Sequence, residues 1–339
     1  MIGKVRLINK RMKTGHYLAR FSLKKATYIS YNQIESAHNY TMKYTIKLTA
    51  LLCTLLVISS AAFAVPFKET GYELTKDKSK PTIIALAPHI VEMLYNIGAG
   101  EQIIGTTAFA DYPEEAKKIP RIGNYVRLQL ERVIELQPDL IIAWKSGNPS
   151  DDLARLEQLG FKVIYSQPHT FLDIANEVRR FAKITGHTAQ GEQVAKKFEH
   201  ELAIIKNTYK NKTEITGFYE LWSRPLTTVA KGSWPQQFLN ICRVKNPFQQ
   251  VITPYPQISI EQVLPASVQL IIQPLSVNQK DREAFNWQDW PIIPAVANKQ
   301  IIQPDADAMH RMSIRSLTEL KNLCATIDQT RTILQQKHS

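Results

Sequence analysis

The chain has 339 residues, 44% of them hydrophobic and 21% charged, with a formal net charge of +12. That apolar content excludes a disordered protein, the negative mean hydropathy excludes a polytopic membrane protein, and three cysteines are too few for a disulfide scaffold. The charge sits at the front. Residues 1–41 carry +7 (Lys4, Arg6, Lys10, Arg11, Lys13, Arg20, Lys24 and Lys25 against Glu35), residues 42–64 add +2 through Lys43 and Lys47, and the remainder carries +3. The part able to form a core has no electrostatic reason to bind nucleic acid.

Met42-Lys43-Tyr44-Thr45-Ile46-Lys47, the apolar run Leu48–Ile58 and then Ser59-Ser60-Ala61-Ala62-Phe63-Ala64 follow the order of a secretory signal peptide. Cleavage is expected after Ala64, and the run falls short of the roughly 20 residues that span a bilayer. Cys53 lies inside this run behind Leu52, which speaks against a lipoprotein. Residues 1–41 precede a fresh start at Met42 and are expected to be a mis-assigned N-terminal extension. Export places the remaining cysteines, Cys242 and Cys324, in an oxidising space. They are expected to be bonded to each other, the alternative being two separate buried thiols.

Beyond a polar leader, short apolar runs alternate with helical patterns. Thr82–Leu86 reads as a buried strand, Ile90–Ile97 as a helix and Ile103–Thr106 as a second strand. A helix over Leu130–Leu136 leads through Pro138 into the strand Leu140–Trp144; a helix over Asp151–Leu159, ended by Gly160, precedes the strand Lys162–Tyr165. Strands alternating with helices imply a mostly parallel sheet covered on both faces. From Thr188 to Lys210 the apolar residues Val194, Phe198, Leu202, Ile205 and Tyr209 keep helical spacing over about six turns, which suits a bridge between two lobes. Strand-like segments then resume at Ile215–Glu220, Val268–Ile272 and Gln300–Ile302, with helices over Pro235–Ile241 and from about Ser313 to the C-terminus.

An internal echo runs through this pattern. Glu131-Arg132-Val133 precedes Leu140-Ile141-Ile142 at the same spacing at which Glu261-Gln262-Val263 precedes Leu270-Ile271-Ile272, the copies lying 130 positions apart. Each reads as a helix that opens with Glu and feeds a buried strand, and the pair suggests two similar lobes. The fold class is therefore α/β: two Rossmann-like lobes with mostly parallel sheets, residues 81–187 and 213–339, bridged by a single long α-helix over 188–212.

Signatures of catalysis are missing. Gly98-Ala99-Gly100 lacks the third glycine of a dinucleotide fingerprint, His200-Glu201 lacks the second histidine of a zinc protease, and neither a Walker loop nor G-x-S-x-G occurs. His89, His169, His187, His200, His310 and His338 are scattered, with no pair at metal-ligand spacing. No enzyme activity, catalytic cofactor or bound metal is expected. What remains is aromatic: Trp144, Trp222, Trp234, Trp287 and Trp290 all lie beyond the leader. Trp144 ends an expected strand, where open α/β sheets bind ligands and a flat ring packs on a flat ligand; its structural alternative is a cap on the core.

From Pro81 onward the chain resembles the periplasmic vitamin B12 (cobalamin)-binding proteins of ABC importers, whose two α/β lobes are joined by one long helix. The resemblance rests on Leu86-Ala87-Pro88-His89, Asp111-Tyr112-Pro113, Leu130-Glu131-Arg132-Val133, Pro138 through Trp144, Pro256-Gln257-Ile258-Ser259, Glu261 through Leu264, and Asp307 through Arg315. It implies that the chain captures cobalamin as a transported ligand in the inter-lobe cleft, in the periplasm, and delivers it to the permease subunits of an inner-membrane ABC importer, being a monomer when free. Phe109 stands where the family usually has Tyr against the corrin, Tyr125 and Tyr255 where it often has Trp, and Trp144 matches directly. Asp307, Ala308, Met309, His310 and Arg311 align with a segment lining the cleft from the other lobe, and Trp222 lies near a further cleft aromatic. The resemblance also implies a Cys242–Cys324 disulfide and assigns Glu131 and Glu261 to docking on permease arginines; helix N-termini alone would account for each Glu singly. Ser259 with Gln262 forms a capping-box pattern. The rival readings are a haem or iron-siderophore binding protein of the same fold, and an exported α/β enzyme.

Overall fold

The computed structural model describes residues 80–276 and 285–338. The signal peptide at 42–64, its cleavage after Ala64 and the extension 1–41 lie outside these residues. In the first lobe β1 (Ile83–Ala85) is followed by α1 (Pro88–Asn96), β2 (Ile103–Thr106), α2 (Leu130–Leu136), β3 (Leu140–Trp144), α3 (Ser150–Gln158), β4 (Val163–Ser166) and α4 (Phe171–Thr185). Next comes α5 (Thr188–Tyr209), whose 22 residues span about 33 Å at 1.5 Å each. The second lobe runs through β5 (Ile215–Tyr219), β6 (Trp222–Ser223), β7 (Leu226–Thr227), α6 (Gln236–Ile241), β8 (Val244–Lys245), α7 (Ile260–Val263), β9 (Leu270–Ile272), α8 (Pro294–Ala297), β10 (Ile301–Ile302), α9 (Ala306–His310) and α10 (Arg315–His338).

The two four-stranded sheets share one topology. Their orders are β2-β1-β3-β4 and, read in the same sense, β8-β5-β9-β10, and all their pairings are parallel. The central strands β1, β3 and β9 are short and apolar, as strands covered on both faces must be. Residues of β1 alternate between two cores: Ile83 and Ala85 face one, Ile84 the other. The echo in the sequence occupies equivalent places in both lobes, at α2–β3 and at the stretch from α7 to β9. Before each strand a non-glycine residue in the left-handed region, Gln137 (φ 46°) or Ser267 (φ 50°), ends the helical stretch. Asp139 then accepts from the Thr82 N–H at 2.8 Å, and Gln269 accepts from the Thr216 N–H at 2.9 Å.

One core crosses the whole molecule. Ile83, Phe171 and Phe181 of the first lobe join Phe198 and Leu202 of α5, Trp234 and Phe238, and then Leu320 and Leu334 of α10 in a single buried cluster. Two smaller clusters cover the far faces of the sheets. Helices α4 and α5 form a tight hairpin: a Cβ on Gly191 would meet the Ala182 Cβ at 2.1 Å, so only glycine allows that crossing. The Cys242–Cys324 disulfide is formed and ties the end of α6 to the middle of α10.

Candidate functional site

A helix joining two parallel strands runs back along the sheet, so α2 and α7 start at the carboxyl ends of the strands, as do the turns after β3, β4 and β5. The turns after β3, β4 and β5 meet at one cavity of about 350 Å³. The first lobe lines it with Trp144, the last residue of β3, with Ser146, and with Gln167, Pro168 and His169 just beyond β4; the second adds Leu221, Trp234, Tyr255, His310 and Met312. It is an apolar, aromatic crevice with a few polar groups, of the kind that holds a small molecule.

Of the expected ligand contacts, the cavity brings together Trp144, Tyr255 and His310. Phe109, Tyr125 and Trp222 do not line it; they stand on the surface, 57%, 68% and 48% exposed. For aromatic residues such exposure rules out the core role that Phe109 and Tyr125 would otherwise be assigned. Phe109 also adopts φ 67°, a left-handed conformation that a bulky residue avoids and that clusters at functional sites. Trp222 donates its indole N–H to the Arg224 carbonyl at 2.8 Å.

The 307–311 segment divides sharply. Asp305 caps α9 by accepting from the Asp307 and Ala308 N–H groups. His310 sits in the cavity wall, its Nε2 2.8 Å from the Tyr219 hydroxyl, whose ionisation burial pushes well up. Ala308 and Met309, expected in the cleft, are core residues instead, 3% and 0% exposed. The Trp234 indole N–H donates to the Met309 carbonyl at 2.7 Å, and Met309 and Trp234 share the main core cluster.

Arg311 does not point openly into the cleft. Its side chain is 10% exposed and bonds Asp111 at 2.7 Å, Glu92 at 3.1 Å and Asp307 at 3.3 Å. Glu92, on α1 and 1% exposed, also accepts from Arg315 at 2.9 Å and from the Ser313 hydroxyl. A buried carboxylate of one lobe is thus neutralised entirely by donors of the other. Asp307 accepts from Ser276 at 2.7 Å.

Beneath the site, His89 is fully buried, its Nε2 3.2 Å from the Ser166 hydroxyl and its ring edge-on to Trp144. Burial pulls its imidazole down to about 3, so it is neutral throughout the physiological range. Glu131 and Glu261 are exposed in the first turns of α2 and α7, on the cleft side of their lobes. The Ser259–Gln262 capping box is formed, and the Ser259 hydroxyl holds the Glu261 carboxyl below its ordinary value. The wall residues Gln167, Pro168 and His169 have no motif in the sequence; their position directly after a strand was the signal that could have found them. Among the described residues, no group of three or more His, Cys, Asp or Glu is placed to hold a metal ion, and no helix is long and apolar enough to cross a membrane.

Residues 83–308 match the family model described as "Periplasmic binding protein". The chain is 36% identical over 254 residues to the vitamin B12-binding protein of Vibrio vulnificus (strain CMCP6), covering 74% of this chain and 92% of that one. It is 33% identical to the crystal structure of the periplasmic vitamin B12 binding protein BtuF of Vibrio cholerae, with a TM-score of 0.68 over 74% of this chain and 98% of that one. The periplasmic heme-binding protein RhuT from Roseiflexus sp. RS-1 shares the fold, with a TM-score of 0.66 at 20% identity over 74% of this chain and 99% of that one. The two-lobed architecture, the cleft at the strand ends and these matches together make the chain a member of the periplasmic binding protein family.

Proposed function

We propose that the chain binds cobalamin in the inter-lobe cleft, in the periplasm, and hands it to an ABC importer. One observation carries this reading: an apolar crevice faced by Trp144 from one lobe and Tyr255 from the other, in a chain whose relatives are named vitamin B12-binding proteins. Aromatic rings from opposite lobes suit the two faces of a broad, flat macrocycle. Phe109, Tyr125 and Trp222 extend the aromatic surface along the rims, and His310 offers a polar contact in the wall. The role is binding, not catalysis.

The mature chain begins after Ala64, with lobes over 81–187 and 213–339 and the bridge over 188–212, and is a monomer when free. Glu131 and Glu261 are its docking carboxylates for the permease. Their support is positional: both are exposed, both lie in the first turn of the helix feeding the third strand of a sheet, and both are on the cleft side. Calorimetry with cyanocobalamin tests the ligand. Residues 65–339 are expected to bind one equivalent tightly and to stay red through gel filtration. Absence of heat and of retained colour overturns the reading, and a protein that instead takes up haem transfers it to the haem class.

A further inference from the structure

Strand β3 ends on Trp144, and the chain turns at once. Gly147 and Asn148 both donate their backbone N–H to the Trp144 carbonyl, at 3.2 and 3.0 Å. The turn lays Gly147 against the indole. A Cβ on Gly147 would lie 1.9 Å from Cε3, 2.2 Å from Cζ3 and 2.4 Å from Cδ2 of Trp144. Carbon atoms in contact need about 3.5–4.0 Å, so this ring can occupy its place only above a residue with no side chain.

The rest of the surround is equally fixed. His89 meets the indole edge-on, with ring centroids 5.5 Å apart and planes at 82°. Asn148 accepts from the Trp144 N–H at 2.6 Å and donates to the Leu86 carbonyl at 2.8 Å, which pins the turn to the segment beyond β1. His89 stands against the indole edge, and Asn148 holds the backbone from which the ring projects. The direction with room is the cavity that Trp144 lines.

We propose that Gly147 is a positioning residue that sets how deep the cleft is on the first lobe. Its missing side chain lets the Trp144 indole lie back against the turn and keeps the cavity open for a wide planar ligand. Any side chain at 147 drives the indole into that cavity. The inference rests on the cobalamin reading for its ligand, but the displacement of the ring does not depend on which ligand binds.

The test compares the full chain, processed by its host and purified, with Gly147→Ala, Trp144→Ala and the double variant. In cyanocobalamin calorimetry Gly147→Ala is expected to weaken binding by about tenfold or more, and by less than about twofold when made in the Trp144→Ala background, because no ring is left to displace. Acrylamide is expected to quench more of the tryptophan fluorescence in Gly147→Ala than in the unmodified chain, ligand absent. An equal loss of affinity with and without the indole overturns the assignment, as does unchanged affinity with unchanged quenching. If Gly147→Ala does not fold, recovery of folding in the double variant supports the clash, and its failure there counts against it. Raised quenching in a chain that never binds cobalamin removes the cobalamin reading and upholds the positioning role.

Discussion

His89 connects the cleft to stability. In the unfolded chain its imidazole takes a proton near 6.5, whereas in the folded chain burial defers this to about 3. Between those values the unfolded state holds more protons, so acid favours unfolding. The stability owed to neutral His89 is complete above about 6.5 and falls by up to about 1.4 kcal/mol per unit as pH drops toward 3. Urea unfolding at pH 7, 6, 5 and 4 should show this slope, and His89→Gln, which cannot charge, should flatten it. A variant curve as steep as the original would clear His89 of the effect. Glu92 is the opposite case: a buried charge fully paired. Glu92→Gln removes the charge that Arg311 and Arg315 share, while Arg311 keeps Asp111 and Asp307 and Arg315 keeps Asp305, so the loss is that of charge-assisted hydrogen bonds, about 1.5–3 kcal/mol. A lowered urea midpoint checks it, whereas an unchanged midpoint would mean that water reaches the cluster.

At the scale of elements, the strands were the legible part. Ile83–Ala85, Leu140–Trp144 and Leu270–Ile272 are continuous apolar runs, the last two bounded by polar residues on both sides, and a parallel strand buried on both faces leaves that trace. Helix α5 was legible from its spacing. Helix α4 carries its own signature, a Thr170–Asp173 capping box followed by Phe171, Ile174, Ala175, Val178, Phe181 and Ala182, although the strand-and-helix alternation leaves that stretch unassigned. The site was legible only in part. Trp144, Tyr255 and His310 follow from resemblance and strand ends, but the Met309 carbonyl finds the Trp234 indole 75 positions away, and Glu92 finds its partners 219–223 positions away. Local patterns hold no record of such pairings. The disulfide joins two elements by closing 82 residues of chain, worth up to about 4.5 kcal/mol in the chain-entropy account. Cys242→Ser with Cys324→Ser should lower the melting temperature by several degrees, and a reductant should do the same to the unmodified protein but not to the double variant.

Across the whole molecule, two lobes of one topology present one exposed glutamate each from equivalent positions. A partner with two like basic patches would engage both at once, so losses at the two sites should compound. Glu131→Lys and Glu261→Lys are each expected to weaken association with the permease, and the pair to abolish it, with cyanocobalamin affinity unchanged. Pull-down of the membrane complex alongside calorimetry separates these readouts. Retention of full transport by the double variant would return both residues to helix capping alone.

The core that runs without a break from Ile83 to Leu334 also bears on how the molecule comes into being. Synthesis proceeds from the N-terminus, so the first lobe emerges while its share of that core still lacks α10, the last helix made. Half-finished chains therefore have apolar surface with nothing to cover it until the final two dozen residues arrive. Truncations that remove α10 should leave the whole chain open to proteolysis, the early half included.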